Sequence, residues 1–247
     1  MSIQARFEEA RLPGRLVWLA LLALFIPGEA AAQSREFSEL HTWTDLATIY
    51  DFSDRFRYDG DYGLRGLISD PEWTLLYVRP SVRYRPRAWV SLHGGVGLFY
   101  NFLDGDDLPE LRPWLGIRFV GPTPGGFTFS NYLRLEMRAF YLKSEGEWDV
   151  GLRGRWQLQV TSPAFRIGSW DDFDALASVE PFFDLDSPTK EVLGDQFRVN
   201  LGIRKWLTPA LRLGLNYLFH NVRVADGDSE FDFDDHVARL RFTYRFN

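Results

Sequence analysis

From about Phe56 to Phe246 the chain repeats one arrangement. Segments of roughly ten to sixteen residues alternate apolar with polar or small side chains, and turn-rich stretches separate them. A period of two places successive side chains on opposite faces of a β-strand. Trp148 to Ser162 shows it best: Trp148, Val150, Leu152, Gly154, Trp156, Leu158 and Val160 alternate with Asp149, Gly151, Arg153, Arg155, Gln157, Gln159 and Thr161. Phe197 to Lys205, Leu211 to Val222 and the last ten residues repeat the pattern. Asn131 to Tyr141, Val78 to Tyr84 and Val90 to Phe102 follow it with some interruptions.

Such strands can close in two ways. A soluble barrel or sandwich turns its apolar face inward, as a lipocalin-like periplasmic protein would. A membrane barrel reverses this, with lipid on the apolar face and polar groups in the lumen. Two features favour reversal. The polar faces hold Arg and Gly rather than the Lys and Glu of a soluble surface. The strands exceed the 5 or 6 residues usual in soluble sheets, and a tilted membrane strand needs about 9 to 11. Trp73, Tyr77, Trp89, Tyr100, Trp114, Tyr141, Trp148 and Trp206 fall near strand ends, where an interfacial girdle is expected.

The expectation is therefore an all-β fold, a single antiparallel transmembrane β-barrel. About eleven strand segments can be counted between residues 40 and 246. Bacterial single-chain barrels have even numbers of strands, so twelve are expected, with ten as the alternative. Either Ser34 to Glu39 begins an extra strand, or Leu40 to Asp51 lies outside the ring. Short connections (Asp51 to Arg55, Arg85 to Arg87, Gly121 to Gly125, Leu207 to Pro209) alternate with longer, often acidic ones (Ser69 to Glu72, Leu103 to Glu110, Lys143 to Glu147, Ser187 to Gly194, Ala225 to Asp234). The short set reads as periplasmic turns and the long set as outer loops. Pro163 to Phe173 is long for its place in this scheme. The alternation slips at Asp234-Asp235, which suggests a bulge.

The start of the chain supports export. Arg6, Arg11 and Arg15 lead an apolar run from Leu16 to Ile26, broken by Pro27-Gly28 and followed by Ala30-Ala31-Ala32. This reads as a signal peptide over residues 1–32, leaving residues 33–247 as one barrel domain. The run is too short for a transmembrane helix of about 20 apolar residues. An uncleaved anchor is the alternative. The net charge of −6 argues against nucleic acid as a partner. The absence of cysteine removes disulfides, thiol catalysis and Cys-based zinc sites. No cofactor is expected.

Several stretches resemble the outer-membrane barrels grouped as domain of unknown function 2490. They are Trp43, Tyr77 to Tyr84, His93 to Gly97, Leu133 to Arg138, Val179 to Leu185, and Phe197 to Leu218 with its Leu-Thr-Pro turn. The resemblance implies an outer-membrane location and a barrel; it carries no catalytic residues. The last strand, with Leu240, Phe242, Tyr244 and Phe246 alternating, also resembles the signal read by the outer-membrane assembly machinery, although Asn247 follows the final aromatic. The partners expected are that machinery, outer-membrane lipid and lipopolysaccharide.

Parity assigns an unusual set of charges to the lumen: Arg79, Arg83, Arg118, Arg134, Arg138, Arg153, Arg155, Arg198, Arg204, Arg212, Arg239 and Arg241, with the acids Glu136, Asp149, Glu180 and Asp184. Charges are costly beside lipid, so they belong inside. They can knit a structural network through paired guanidinium forks. They can also leave a positive lumen that binds or passes small anions. Dense loop acids (Asp104, Asp106, Asp107; Asp226, Asp228, Glu230, Asp232, Asp234) can attract Ca²⁺ or Mg²⁺ but lack the spacing of an EF-hand, and read first as solvated loops. Ser91 and His93 share a face, the pairing a barrel lipase would use, yet parity turns both inward, away from lipid. His41 and His236 show no metal-ligand spacing, so no metal site is expected.

Overall fold

The computed structural model describes residues 35–68, 74–103, 107–121, 124–185, 195–226 and 229–246. Residues 1–34, where the expected signal peptide and cleavage site fall, Trp73, and the 69–72 and 187–194 connections lie outside the described residues, as do Asp104, Asp106 and Asp228.

Twelve strands form one sheet. In chain order they are β1 (Arg35–Asp51), β2 (Phe56–Leu67), β3 (Thr74–Arg87), β4 (Val90–Phe102), β5 (Leu108–Val120), β6 (Thr128–Leu142), β7 (Glu147–Thr161), β8 (Phe165–Ile167), β9 (Trp170–Asp184), β10 (Asp195–Trp206), β11 (Leu211–Asp226) and β12 (Ser229–Phe246). Each long strand pairs antiparallel with the next, β7 pairs with β9, and β1 meets β12 to close a ring. Eleven strands make the ring; the three-residue β8 is the twelfth. It forms a small hairpin with the start of β9, with Gly168 in the left-handed region at its tip. That hairpin accounts for the long 163–173 connection.

An odd ring has a geometric consequence that the expectation of an even number missed. The first and last strands run the same way, so β1 and β12 pair in parallel, from Arg35 opposite Phe231 to Tyr50 opposite Phe246. Residues 35–39 accordingly extend β1 rather than forming a separate strand, and Leu40 to Asp51 belongs to the ring. The expected bulge at Asp234-Asp235 is also absent. Register runs unbroken from His220 opposite Asp235 to Asn221 opposite Asp234. Ala225 to Asp234 is mostly strand rather than loop, since β11 reaches Asp226 and β12 begins at Ser229.

The two faces are sorted as in a membrane barrel. Leu115 is 69% exposed, and Leu98, Leu201 and Leu215 point outward with it. Inside, Tyr77 is 1% exposed and packs with Leu75 and Phe99, while Trp43 packs with Leu218 and Val237. Tyr77 and Trp114 are therefore buried lumen residues, not members of a girdle. Parity sent them inward, and proximity to strand ends was the weaker signal. Aromatic pairs do mark both rims. Trp89–Phe119, Phe56–Tyr84 and Tyr244–Phe246 lie at the short-turn end, and Tyr100–Phe102 and Tyr141–Trp148 at the other. Leu240, Phe242, Tyr244 and Phe246 alternate along β12, with Tyr244 and Phe246 exposed. Glycine at 63 is required by close approach, because the Tyr77 ring from the neighbouring strand lies where a side chain would begin.

The long-loop rim carries an exposed pair. Lys143 Nζ donates to Asp107 Oδ2 at 2.8 Å, and the Tyr100 hydroxyl donates to the same oxygen at 2.6 Å. The Lys143 hydrogen bond, then that of Tyr100, holds Asp107 below its ordinary 3.8; the Asp107 hydrogen bond lifts Lys143 above 10.5. The depressed carboxyl contributes to loop order above pH 3.8 and loses that contribution as pH falls through its lowered value. The raised amine contributes below pH 10.5 and loses its share as pH rises through its own. Amide exchange at residues 143–146, corrected for intrinsic rate, is expected to be flat between these limits and to rise under stronger acid. Lys143→Met should abolish that acid dependence. An unchanged acid response in the variant would assign the effect to other groups.

Candidate functional site: an arginine-lined lumen

Alternation puts every second side chain of each strand on the inner wall, and register then sets charges side by side. In β6 these are Arg134, Glu136 and Arg138; in β7, Arg153 and Arg155; in β5, Glu110 and Arg112. Glu136 lies opposite Arg153, and Arg134 opposite Arg155. Such cross-strand neighbours are within side-chain reach.

The carboxylates are the most deeply buried charges. Glu136 is 0% exposed. It accepts from Arg153 Nη2 at 2.6 Å and Arg155 Nη1 at 2.8 Å, and it also pairs with Arg134. Glu110 is gripped by two forks. Arg112 donates to both of its oxygens at 2.6 Å, and Arg138 at 2.7 and 2.8 Å. Glu180 accepts from Arg155 Nη2 at 2.6 Å and has Arg198 at 3.5 Å. Bidentate, charge-assisted bonds of this kind fix orientation as well as lowering energy.

A further group stitches the parallel seam. Asp45 on β1 pairs with Arg239 of β12, accepts from the Tyr77 hydroxyl at 2.6 Å, and has Arg241 at 3.5 Å. Asp61 of β2 pairs with Arg79 and with Arg241 at 3.1 Å. Arg83 donates to Asp59 at 2.8 Å and Arg204 Nε to Asp174 at 2.5 Å.

These side chains surround a cavity of about 550 Å³. All twelve arginines expected from parity (Arg79, Arg83, Arg118, Arg134, Arg138, Arg153, Arg155, Arg198, Arg204, Arg212, Arg239 and Arg241) line it, and so do Arg65 and Arg112. Among the described residues the only carboxylates lining it are Asp59, Asp61 and Glu180. Glu136 sits behind its three arginines, and Asp184 lies opposite Arg153 near the end of β9. Arg65, Arg118 and Arg212 make no salt bridge with a described carboxylate, although Asp45, Asp59 and Asp174 act on them at longer range. Their guanidinium groups stack on Trp43 (3.9 Å), Tyr132 (4.6 Å) and Trp206 (5.1 Å), an arrangement that favours a cation without neutralising it.

Sequence reading missed Arg65, Arg112, Asp45, Asp59, Asp61, Glu110 and Asp174. Glu110 and Arg112 share the parity of Arg118, but Glu110 was placed in a loop that is in fact the start of β5. Asp59, Asp61 and Arg65 share a parity in β2, where glycines interrupt the apolar face and obscure it.

Ser91 and His93 do meet, with Oγ and Nε2 at 2.8 Å. Both are buried on the inner wall, and His93 packs against Tyr132. Among the described residues no carboxylate bonds to His93, so the pair lacks the third group that orients a catalytic imidazole.

A closed all-β ring with an apolar outer wall and a charged, arginine-rich interior defines the class of protein. The chain belongs to the family described as Protein of unknown function (DUF2490), whose sequence profile matches residues 40–231. Among curated proteins none matches it. A solved structure of the NanC porin in a rhombohedral crystal form is similar at 13% identity, covering 71% of this chain and 86% of that one, with a TM-score of 0.39.

Proposed function

We propose that this is an outer-membrane barrel whose lumen gives passage to small anionic solutes. The observation that carries this reading is the layering of charge around the cavity. Acidic groups such as Glu136, Glu110 and Asp45 are sunk in the wall and taken up by pairing, while guanidinium groups face the open space. A cavity of that sign, enclosed by low-dielectric walls, concentrates anions and repels cations. The apolar outer wall, the rims of aromatic residues and the signal-like leader support insertion in a Gram-negative outer membrane. There the barrel would meet lipid and lipopolysaccharide after delivery by the outer-membrane assembly machinery.

Planar-bilayer recording tests the reading. The purified barrel is expected to give discrete conductance steps, and under a KCl gradient a reversal potential of the sign set by chloride. Cation preference, or no conductance from a barrel shown to be folded by its heat-modifiable gel mobility, would sink the passage and leave a structural charge network.

A further inference from the structure

At the long-loop end of the seam, where His220 lines the arginine-rich cavity near Arg65, Arg153 and Arg198, lies a cluster of different chemistry. Glu39 and His41 are two apart on the inner face of β1. Glu39 lies opposite Asp235 across the parallel β1–β12 pairing, and Asp235 lies opposite His220 across β12–β11. Three adjacent strands thus bring two imidazoles and two carboxylates to one level. His41 Nε2 is 3.4 Å from Asp235 Oδ1 and 3.8 Å from Glu39 Oε2; His220 Nδ1 is 3.6 Å from Asp235 Oδ2. Ligand atoms of Glu39, His41 and Asp235 all lie within 4.8 Å of one another.

We propose that Glu39, His41, His220 and Asp235 form a binding site for a zinc-class divalent cation that clamps the closing seam. The distances bear on this directly. Separations of 3.4 to 3.8 Å are long for hydrogen bonds. A tetrahedral ion with ligands at about 2.0–2.1 Å has edges of about 3.4 Å, so a small contraction brings Glu39, His41 and Asp235 to coordination, and His220, which reaches the group through Asp235 Oδ2, completes the set by a side-chain rotation. The donor set suits such an ion. Imidazole nitrogens favour zinc, copper or nickel over magnesium or calcium, and two carboxylates balance a double positive charge. Side-chain exposures of 11% for His41 and 12% for His220 give shelter, while Glu39 at 42% leaves a way in from the rim. The position also has a structural consequence. A metal held by β1, β11 and β12 would cross-link the one parallel junction among the described strands.

Zinc titration of the metal-stripped, full-length mature barrel in detergent, followed by calorimetry, tests this. One site per chain is expected, with a higher unfolding temperature when loaded. Cobalt in its place should give the intense visible absorption of a tetrahedral centre. His41→Ala and, separately, His220→Gln should each weaken zinc binding at least about tenfold, in line with loss of a ligand. His236→Ala, which removes an imidazole outside the cluster, should leave binding unchanged. Heat-modifiable mobility establishes that each variant is a closed barrel before it is titrated. The proposal is overturned if the folded wild-type barrel binds no stoichiometric zinc, if binding survives both His41→Ala and His220→Gln, or if His236→Ala alone removes it.

Discussion

Glu136→Gln is expected to lower the stability of the barrel by about 3–5 kcal/mol, the cost of removing one partner from a buried ion pair. The reason lies in what remains. Arg134, Arg153 and Arg155 converge on a carboxylate that is 0% exposed. Without its charge three guanidinium groups face one another in a wall that offers them little water. A neutral amide cannot replace it, because it presents one acceptor oxygen and turns an NH₂ donor toward other donors. The measurement is the urea midpoint for loss of the fast-migrating folded band, compared with wild type. Glu136→Asp tests geometry separately, since it keeps the charge but shortens the reach. A Glu136→Gln midpoint indistinguishable from wild type would mean that water or a bound anion already screens these arginines, and that the lumen is more open than the pairing suggests.

The same side chains show which parts of the fold were legible in the chain. Arg134, Glu136 and Arg138 alternate with Leu133, Leu135 and Met137, so their inward placement follows from period two alone. Inside-out sorting was legible as well, because long strands with arginine on one face suit a lumen better than a wet surface. The odd ring was visible in the count of eleven segments, but the even-number rule for such barrels overrode it, and the parallel closure itself was not legible. Strand parity depends on which end pairs with which, and β1 carries Trp43 and Ala47 on the same inner face as His41 and Asp45, so its alternation gives no clear side. The contacts that close the barrel join residues nearly two hundred positions apart, as in Asp45 with Arg239. No local spacing reports such a pair. The His41–His220–Asp235 grouping escaped for the same reason: metal motifs are sought as short spacings, and here the ligands come from three strands at the two ends of the chain. Tyr77 shows the opposite error, where nearness to a strand end was allowed to outweigh its parity.

Under the proposed passage of anions, charge reversal at Arg118 and Arg212 should change which ion crosses. Arg118 and Arg212 line the cavity and make no salt bridge with a described carboxylate, so Arg118→Glu with Arg212→Glu removes two positive charges and adds two negative ones without breaking a direct ion pair. For a monovalent ion roughly 8 Å from a charge in water-filled space, Coulomb's law gives about 0.5 kcal/mol. Each reversal therefore shifts that ion's energy by about 1 kcal/mol, or about fivefold in its occupancy. The double variant is expected to move the reversal potential strongly toward cation preference. The shift should be larger near 0.1 M salt, where the Debye length is about 10 Å, than near 1 M, where it is about 3 Å. Fold is less at risk than with Glu136, because the arginines that remain around the cavity can pair with the new carboxylates. A double variant that conducts with wild-type selectivity at both salt concentrations would place the ion path outside this cavity. A graded response, with Arg118→Gln falling between wild type and Arg118→Glu, would tie selectivity to the lumen charge itself rather than to a change of shape.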